Sequence, residues 1–176
     1  MKPTVILYTS NNGFTAQYAA MLSEQTGLPC FALKAAGHIQ PGTPILYLGW
    51  LMAGNVQGYK EAAKKYRVCA VCGVGMGSTG SQIEDVRKTN ALPADLPVFV
   101  LQGGFDMKRL HGVYKLMMTV MKNTVGKSLA RKPERTADED TMLDLLQNGG
   151  SRVKEDNLNA LLQWYYSDKA GERSPE

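Results

Sequence analysis

Cysteine and histidine are scarce in this chain, which has three cysteines and two histidines among its 176 residues. The histidines, His38 and His111, are too few and too far apart for a metal site or a charge-relay triad, so we expect both on the surface. An odd number of cysteines argues against a disulfide framework. Cys69 and Cys72 form a C-x-x-C inside an apolar run that predicts a buried strand, where residues three apart point to opposite faces. We therefore interpret these two as small core residues and not as a dithiol site.

Long apolar runs are absent too, since no segment approaches the roughly 18 uninterrupted apolar residues that suggest a membrane span. The first residues, Met-Lys-Pro-Thr, lead into a short apolar run without the hydrophobic stretch and cleavage site of a signal peptide. These absences predict a cytoplasmic protein. A hydrophobic content of 44% and a charged content of 20% are typical of a globular domain. We expect a single domain over residues 1–167, helical from 108 to 167, followed by a disordered tail at 168–176.

Charge is unevenly distributed along the chain. Residues 1–104 hold eight basic and five acidic side chains, residues 105–135 hold eight and two, and residues 136–176 hold four and nine. The basic middle part is thus followed by an acidic part, and the two can face each other in the fold. The net charge of +4 does not by itself indicate nucleic-acid binding, and we predict no nucleic-acid partner.

Strand-sized apolar runs alternate with single helices in the first hundred residues. We predict strands at residues 4–9, 28–33, 45–49, 68–74 and 98–102, and helices at 14–26, 56–67 and 81–90. This alternation predicts an α/β fold with a doubly wound, five-stranded parallel sheet. Extra helices follow Gly103 and Gly104: a Met-rich basic helix at about 108–125, then helix breakers at 126–135 and two polar helices at about 137–148 and 155–167.

The segment between the first predicted strand and the first predicted helix has the composition of an anion-binding loop. Backbone N–H groups and the helix dipole converge at this point. The hydroxyls of Ser10 and Thr15 and the amide of Asn12 can donate hydrogen bonds to phosphate oxygens, and Gly13 lets the backbone approach a ligand closely. Taken alone, the same residues fit an N-capped turn without a ligand equally well.

Two further loops follow the third and fourth predicted strands. In a doubly wound sheet of order 2-1-3-4-5, ligands bind at the carboxyl ends of strands one and three, where the chain direction reverses. Residues 49–55 combine two glycines with apolar side chains, and residues 73–78 hold three glycines, more than stability would require. A flat aromatic ring held between these two loops would explain both compositions.

These motifs resemble those of the flavodoxin superfamily. Residues 10–15 match the flavodoxin phosphate loop T/S-x-T-G-x-T, with Asn12 in place of the usual Thr. The stretch 101–110, the Met-rich helix after it and Lys-Pro-Glu-Arg-Thr at 132–136 resemble the flavodoxin-domain branch that includes menaquinone-dependent protoporphyrinogen oxidase. The resemblance covers nearly the whole chain and implies a flavodoxin-like sheet of order 2-1-3-4-5.

The resemblance also implies FMN as the cofactor and three loops that hold it. By position, the cofactor-binding residues are Ser10, Asn11, Asn12, Gly13, Phe14, Thr15, Trp50, Leu51, Met52, Ala53, Gly54, Asn55, Gly73, Val74, Gly75, Met76 and Gly77. In flavodoxins, a peptide ending in Gly can turn toward N5 of the isoalloxazine ring, and here that peptide is Ala53–Gly54. Met52 or Trp50 would be the ring's neighbour, although Trp50 fits a core position beside the sheet equally well. Residues 73–78 hold no aromatic side chain that could stack on the ring's outer face.

The Met-rich helix allows more than one interpretation. Its wide apolar face and the nearby Lys108, Arg109, Lys115 and Lys122 would suit peripheral membrane contact, a redox partner protein, or a small apolar acidic substrate such as a quinone or porphyrin. We favour a simpler one, in which the helix closes the last face of the sheet and is covered by the acidic C-terminal helices. Its methionines would then belong to the core.

The sequence therefore predicts an FMN-dependent oxidoreductase or electron-transfer protein, with a protoporphyrinogen-oxidase-like activity as one option. The reaction itself is not assigned, because a bound flavin would perform the electron chemistry and no acid–base residue is required. The alternative from another class is a flavodoxin-fold binding module that has lost FMN and serves as a partner-docking protein. The visible absorption of the purified protein separates these two.

Overall fold

The computed structural model describes residues 1–110 and 112–170, with side chains as far as Ser167. Its first part is, in chain order, β1 (Val5–Thr9), α1 (Phe14–Thr26), β2 (Cys30–Ala32), a 3-10 helix (Leu33–His38), β3 (Pro44–Met52), β4 (Asn55–Val56), α2 (Tyr59–Lys65), β5 (Arg67–Gly75), α3 (Ile83–Thr89) and β6 (Val98–Gln102). The second part is β7 (Gly104–Phe105), α4 (Gly112–Met121), a π turn (Lys122–Gly126), α5 (Lys127–Arg131), α6 (Ala137–Asn148), β8 (Gly150–Ser151), a 3-10 turn (Glu155–Leu158) and α7 (Asn159–Ala170).

The central sheet has the order β2-β1-β3-β5-β6, and all four of these strand pairs are parallel. The prediction of an α/β fold with a mostly parallel sheet is therefore confirmed. The predicted count of five strands and their numbering as 2-1-3-4-5 differ from the structure, because β4 adds a short antiparallel strand to β3. A strand of two residues is too short to show an apolar alternation, so the sequence does not reveal it.

Apolar side chains cover both faces of the sheet. On one face Leu7, Tyr47 and Val71 belong to a buried layer that also holds Ala62 of α2 and Val86 of α3. On the other face, strand residues at the alternate positions pack against α1 and α7. The strands contribute Ile6, Leu46, Leu48 and Cys72, and the helices contribute Tyr18, Leu22 and Leu161. A parallel sheet that is covered on both faces explains why its strands are continuous apolar runs.

The scarce residues are placed mostly as expected. Cys72 is buried in the second layer, whereas Cys69 is only half-buried at the start of β5 and is not a core residue. His38 is exposed, and His111 lies outside the described residues. Within the described part of the chain, no helix is both long enough and apolar enough to cross a membrane.

Residues 106–149 leave the sheet as a helical lobe. The lobe begins and ends at a two-stranded neck, in which Gly104 of β7 pairs with Ser151 of β8, antiparallel. The acidic helix α6 packs against the π turn and α5. Two ion pairs, Lys132–Glu139 at 2.7 Å and Arg135–Asp140 at 2.6 Å, join the basic segment to this helix. The predicted contact between the basic and acidic parts is confirmed here.

The prediction that the Met-rich helix is buried under the C-terminal helices is wrong. No residue of α4 is buried, and Val113, Leu116, Met117 and Val120 are 62%, 65%, 46% and 54% exposed. The physical reason is that α1 and α7 already cover the second face of the sheet. Helix α4 instead meets the carboxyl ends of the strands, where Tyr114 contacts the side chain of Trp50.

The end of the chain differs slightly from its prediction. Helix α7 continues to Ala170 and thus includes the first three residues of the segment 168–176 that was expected to be a disordered tail. The rest of that segment lies outside the described residues.

Candidate functional site

A cavity of about 450 Å³ lies at the carboxyl edge of the sheet. It is bounded by the loop after β1, the ends of β3 and β5, and the inner side of the helical lobe. Thirteen of the seventeen residues predicted from the sequence line it; Ser10, Gly13, Asn55 and Gly73 do not. The structure thus brings the three predicted segments to one space.

The loop after β1 is shaped by the Ser10 hydroxyl. Its oxygen accepts hydrogen bonds from the backbone N–H of Gly13 at 3.1 Å and of Ala16 at 3.4 Å. Ser10 therefore holds the turn together and does not line the cavity, and its role as a ligand donor stays a prediction. The first helical residues, Phe14 and Thr15, do line the cavity, and N–H groups in a first helical turn have no partner within their helix.

Asn12 carries the clearest sign of a missing partner in this loop. Its Oδ1 atom is buried and has no hydrogen-bond partner among the described residues. Leaving a buried polar atom unpaired costs about 1–3 kcal/mol, so a partner from a ligand would stabilise this position. Rotation of the amide by a half-turn would place the Nδ2 donor at the same position, so the side chain can serve an acceptor or a donor.

Arg109 of the helical lobe reaches the same loop. Its Nη1 atom donates a hydrogen bond to the carbonyl oxygen of Asn12 at 3.1 Å, and its Nε atom lies 3.2 Å from Oδ2 of Asp106. A Cβ atom on Gly13, whose φ is +88°, would lie 3.2 Å from the same Nη1. The sequence indicated Arg109 only as a flank of the basic helix, because a contact across 97 residues leaves no local pattern.

The predicted loop at 49–55 is a tight hairpin between β3 and β4. Trp50, Leu51 and Met52 still belong to β3, so the turn consists of only Ala53 and Gly54, with φ of +47° and +77°. Two positive φ values are typical of two-residue hairpin turns, which favour Gly at these positions. Buried Asn90 fixes the hairpin, since its Nδ2 donates to the carbonyl of Gly54 at 2.8 Å and its Oδ1 accepts the N–H of Val56 at 2.9 Å.

The glycines of the predicted loop at 73–78 have a packing reason. Gly73 and Gly75 belong to β5, next to β3 in the sheet. A Cβ atom on Gly73 would lie 2.8 Å from Cδ2 of Leu51, and one on Gly75 would lie 3.1 Å from its Cδ1. The inference that stability does not require these two glycines is therefore wrong, because the Leu51 side chain lies across them.

The lobe contributes an aromatic side chain to the cavity. The ring of Tyr114 meets that of Trp50 edge to face, at 5.3 Å and an interplanar angle of 87°. Trp50 is half-buried and lines the cavity, so it is not a core residue. This contact ties the lobe to the end of β3.

Methionine dominates the apolar part of the cavity. Six of the nine methionines in the chain line it: Met52, Met76, Met117, Met118, Met121 and Met142. The lining residues that the sequence did not identify are Gln82, Gly104, Phe105, Leu110, Tyr114 and the four methionines of the lobe. The unusual apolar width of the Met-rich helix was a sequence signal for those of them that lie on this helix. Flexible thioether chains adapt to the shape of a ligand.

The cavity offers binding groups but few groups for acid–base chemistry. Within the described part of the chain, its lining contains no Asp, Glu, Lys, Arg or His side chain. Burial raises the pKa of Tyr47, whose hydroxyl donates to the carbonyl of Gln57 at 2.7 Å behind the end of β1. That phenol is fully buried and faces the protein interior. The arrangement suits the binding of a group that brings its own chemistry.

Fold and site together define an α/β protein with a cavity at the carboxyl edge of a mostly parallel sheet. Comparison with protein-family models, with curated proteins and with solved structures finds no match. The residues of the cavity therefore carry the functional argument.

Proposed function

We propose that this chain is a flavodoxin-like protein that binds FMN and acts as an oxidoreductase or electron carrier. One observation carries the proposal: a single cavity of about 450 Å³ joins a polar end at the start of α1 to an apolar end of aromatic and methionine side chains. FMN has the same division, with a phosphate at one end and a flat aromatic ring at the other. The volume lies within the range of about 300–1,000 Å³ typical of small-molecule sites.

The polar end fits a phosphate. Asn12 has a buried Oδ1 atom without a partner among the described residues, and a half-turn of its amide would direct the Nδ2 donor to a phosphate oxygen. Phe14 and Thr15 supply backbone N–H groups of a first helical turn. No acidic residue occurs in the first turn of α1, so no carboxylate there repels an anion. Gly13 has a φ of +88°, a conformation that is strained for residues with a side chain, so the loop requires glycine here.

The apolar end fits a flat ring. Trp50 and Met52 from β3, Met76 after β5 and Tyr114 from the lobe would surround it. Bound FMN would supply the transfer of electrons, which explains why the cavity needs no acid–base pair of its own. The side chains would bind the ring, orient it and exclude water, and the Ala53–Gly54 turn would border its edge.

The partner of the flavin would be a redox protein or a small apolar molecule, a quinone or porphyrin among them. The adaptable methionine wall supports an apolar molecule inside the cavity. The exposed stripe of Val113, Leu116 and Val120 on α4 supports contact with an apolar surface outside it, on a partner protein or at a membrane. The same stripe favours the second candidate, a partner-docking module of this fold without FMN.

Titration of the purified chain with FMN, followed by flavin fluorescence, tests the proposal. Gly13→Val should weaken FMN binding about tenfold or more, equivalent to about 1.4 kcal/mol, because a branched side chain is strained at a φ of +88° and would displace Arg109 from the loop. Gly42→Val is the matched control, since Gly42 has a similar φ of +82° but open space around it and lies outside the cavity.

Three outcomes are informative. If Gly13→Val loses affinity for FMN and Gly42→Val does not, the result supports the cavity as the FMN site. Equal affinity of a folded Gly13 variant and the wild type would place FMN elsewhere. If the wild type neither quenches FMN fluorescence nor melts at a higher temperature with FMN, the flavin proposal fails and the docking module becomes the leading function.

A further inference from the structure

Arg109 connects the helical lobe to the loop after β1. It belongs to the helical lobe, yet its Nη1 atom donates to the carbonyl of Asn12 at 3.1 Å in the loop after β1. Other ties between the lobe and the rest of the molecule include the Trp50–Tyr114 ring contact, a hydrogen bond from the Ser78 hydroxyl to Asp138 and the packing of Met76 against Leu110 and Leu145. Arg109 is thus the tie that meets the polar end of the cavity.

The guanidinium of Arg109 has hydrogen-bonding capacity left over. One of its five N–H donors binds the backbone carbonyl of Asn12, and its Nε atom lies 3.2 Å from Oδ2 of Asp106 in an ion pair. Within the described part of the chain the guanidinium makes no other hydrogen bond. Its side chain is 58% exposed, so folding does not require it as a core residue. A planar guanidinium with free donors matches the oxygens of a phosphate group.

An anion in the loop after β1 would lie next to this guanidinium. A Cβ atom on Gly13 would be only 3.2 Å from Nη1, so the cation lies directly against the residue that precedes α1. Asn12, whose carbonyl holds Arg109, is also the residue with the unpaired buried Oδ1 atom. The loop and the lobe can therefore bind the same anion, the loop through backbone N–H groups of α1 and the lobe through the cation of Arg109.

We propose that Arg109 recognises the phosphate of the bound ligand and thereby couples occupation of the phosphate loop to the contact between the lobe and that loop. This inference rests on the proposed FMN function and adds a selectivity to it, for FMN over the same flavin without phosphate. The phosphate strengthens the contact between Arg109 and the loop, because both then bind the same anion. Riboflavin fills the apolar end without providing that link.

Fluorescence titrations with FMN and with riboflavin test the selectivity. In Arg109→Ala, FMN affinity should fall about tenfold, whereas riboflavin affinity should stay unchanged. Arg109→Lys should lose less, since it keeps the charge but not the planar donor geometry. Lys108→Ala is the matched control, because it removes the neighbouring positive charge and should leave both affinities unchanged. Melting temperatures verify that each variant folds.

The outcomes separate the inference from the function on which it rests. Equal losses for FMN and riboflavin in Arg109→Ala would make Arg109 a structural support of the Asn12 carbonyl, and unchanged FMN affinity would likewise overturn the inference. A wild type that binds both flavins equally well would refute the selectivity while flavin binding stands. A wild type that binds neither would overturn both the function and the inference.

Hydrogen exchange measures the coupling to the lobe. In the wild type, FMN should slow amide exchange in α4 more than riboflavin does, when each is at a saturating concentration. This difference should disappear in Arg109→Ala and remain in Lys108→Ala. Equal protection of α4 by both flavins in the wild type would overturn the coupling.

Discussion

The packing of Leu51 across the glycines of β5 can be tested at Gly73. A methyl group at this position would lie 2.8 Å from Cδ2 and 3.0 Å from Cγ of Leu51, well inside the separation of about 3.5–4.0 Å that carbon atoms prefer. Overpacking of this kind costs about 1–3 kcal/mol. The loss of chain entropy in the unfolded state offsets about 0.4–1 kcal/mol of that. Gly73→Ala should therefore destabilise the protein by up to about 2.6 kcal/mol.

A double-mutant cycle with Leu51→Ala identifies the cause. Leu51→Ala alone should cost about 2 kcal/mol, because this side chain is only half-buried. It also removes the atoms that the new methyl would meet, so the double variant should be more stable than the sum of the two losses by about 0.5–3 kcal/mol. Equilibrium unfolding in urea, followed by circular dichroism, gives all three free energies of unfolding. Additive losses would refute the packing explanation.

Gly37→Ala serves as the control for the cycle. A Cβ atom on Gly37 meets nothing within 4 Å. This substitution should leave the free energy of unfolding unchanged or raise it slightly. Gly75→Ala, where the nearest Leu51 atom is 3.1 Å away, should cost less than Gly73→Ala. A reversed order of the two losses would contradict the geometry.

Three further predictions concern burial. Asn90→Ala should lower the free energy of unfolding by about 2–4 kcal/mol in urea, since Asn90 is 5% exposed and its loss leaves buried hairpin groups unpaired; a loss below about 0.5 kcal/mol would contradict this. The double change of Met117 and Met121 to Ser should cost less than about 2 kcal/mol by the same assay, because neither residue is buried, and a loss of several kcal/mol would make α4 a core helix after all. Burial raises the pKa of Cys30 to about 11, so its thiolate is scarce at pH 8. The rate of Cys30 alkylation should therefore rise with pH until about pH 11. Alkylation that is fast at pH 8 and does not accelerate at higher pH would contradict this burial.

The sequence predicted most of the sheet and its first helix because local signals determine them. Residues 14–26 contain no Pro or Gly and are followed by Gly27, and α1 has those bounds, with Gly27 as its cap. The buried strands are apolar runs bounded by turns, which is a pattern of neighbouring residues. Contacts between these strands follow from the alternation with helices, so the parallel pairing could be predicted as well.

The site was predicted less completely, since nine of the 22 residues that line the cavity were not identified from the sequence. The strand–turn–helix composition at residues 10–15 located the first loop, and the apolar residues at 50–54 were placed at the cavity. The placement of Tyr114 and Arg109 depends on how the lobe folds back from its neck, and no local pattern reports that. The role of Gly73 also depends on a neighbouring strand, so its glycine was mistaken for a ligand-binding feature.

The central claim is that FMN occupies the cavity at the carboxyl edge of the sheet, and the visible absorption spectrum of the chain tests it most directly. The purified protein is mixed with excess FMN, passed through a desalting column and measured alongside a Gly13→Val sample prepared in the same way. The account predicts flavin absorption bands in the wild-type sample and their strong reduction in the variant. A colourless wild-type sample, or bands of equal height in both samples, would contradict it.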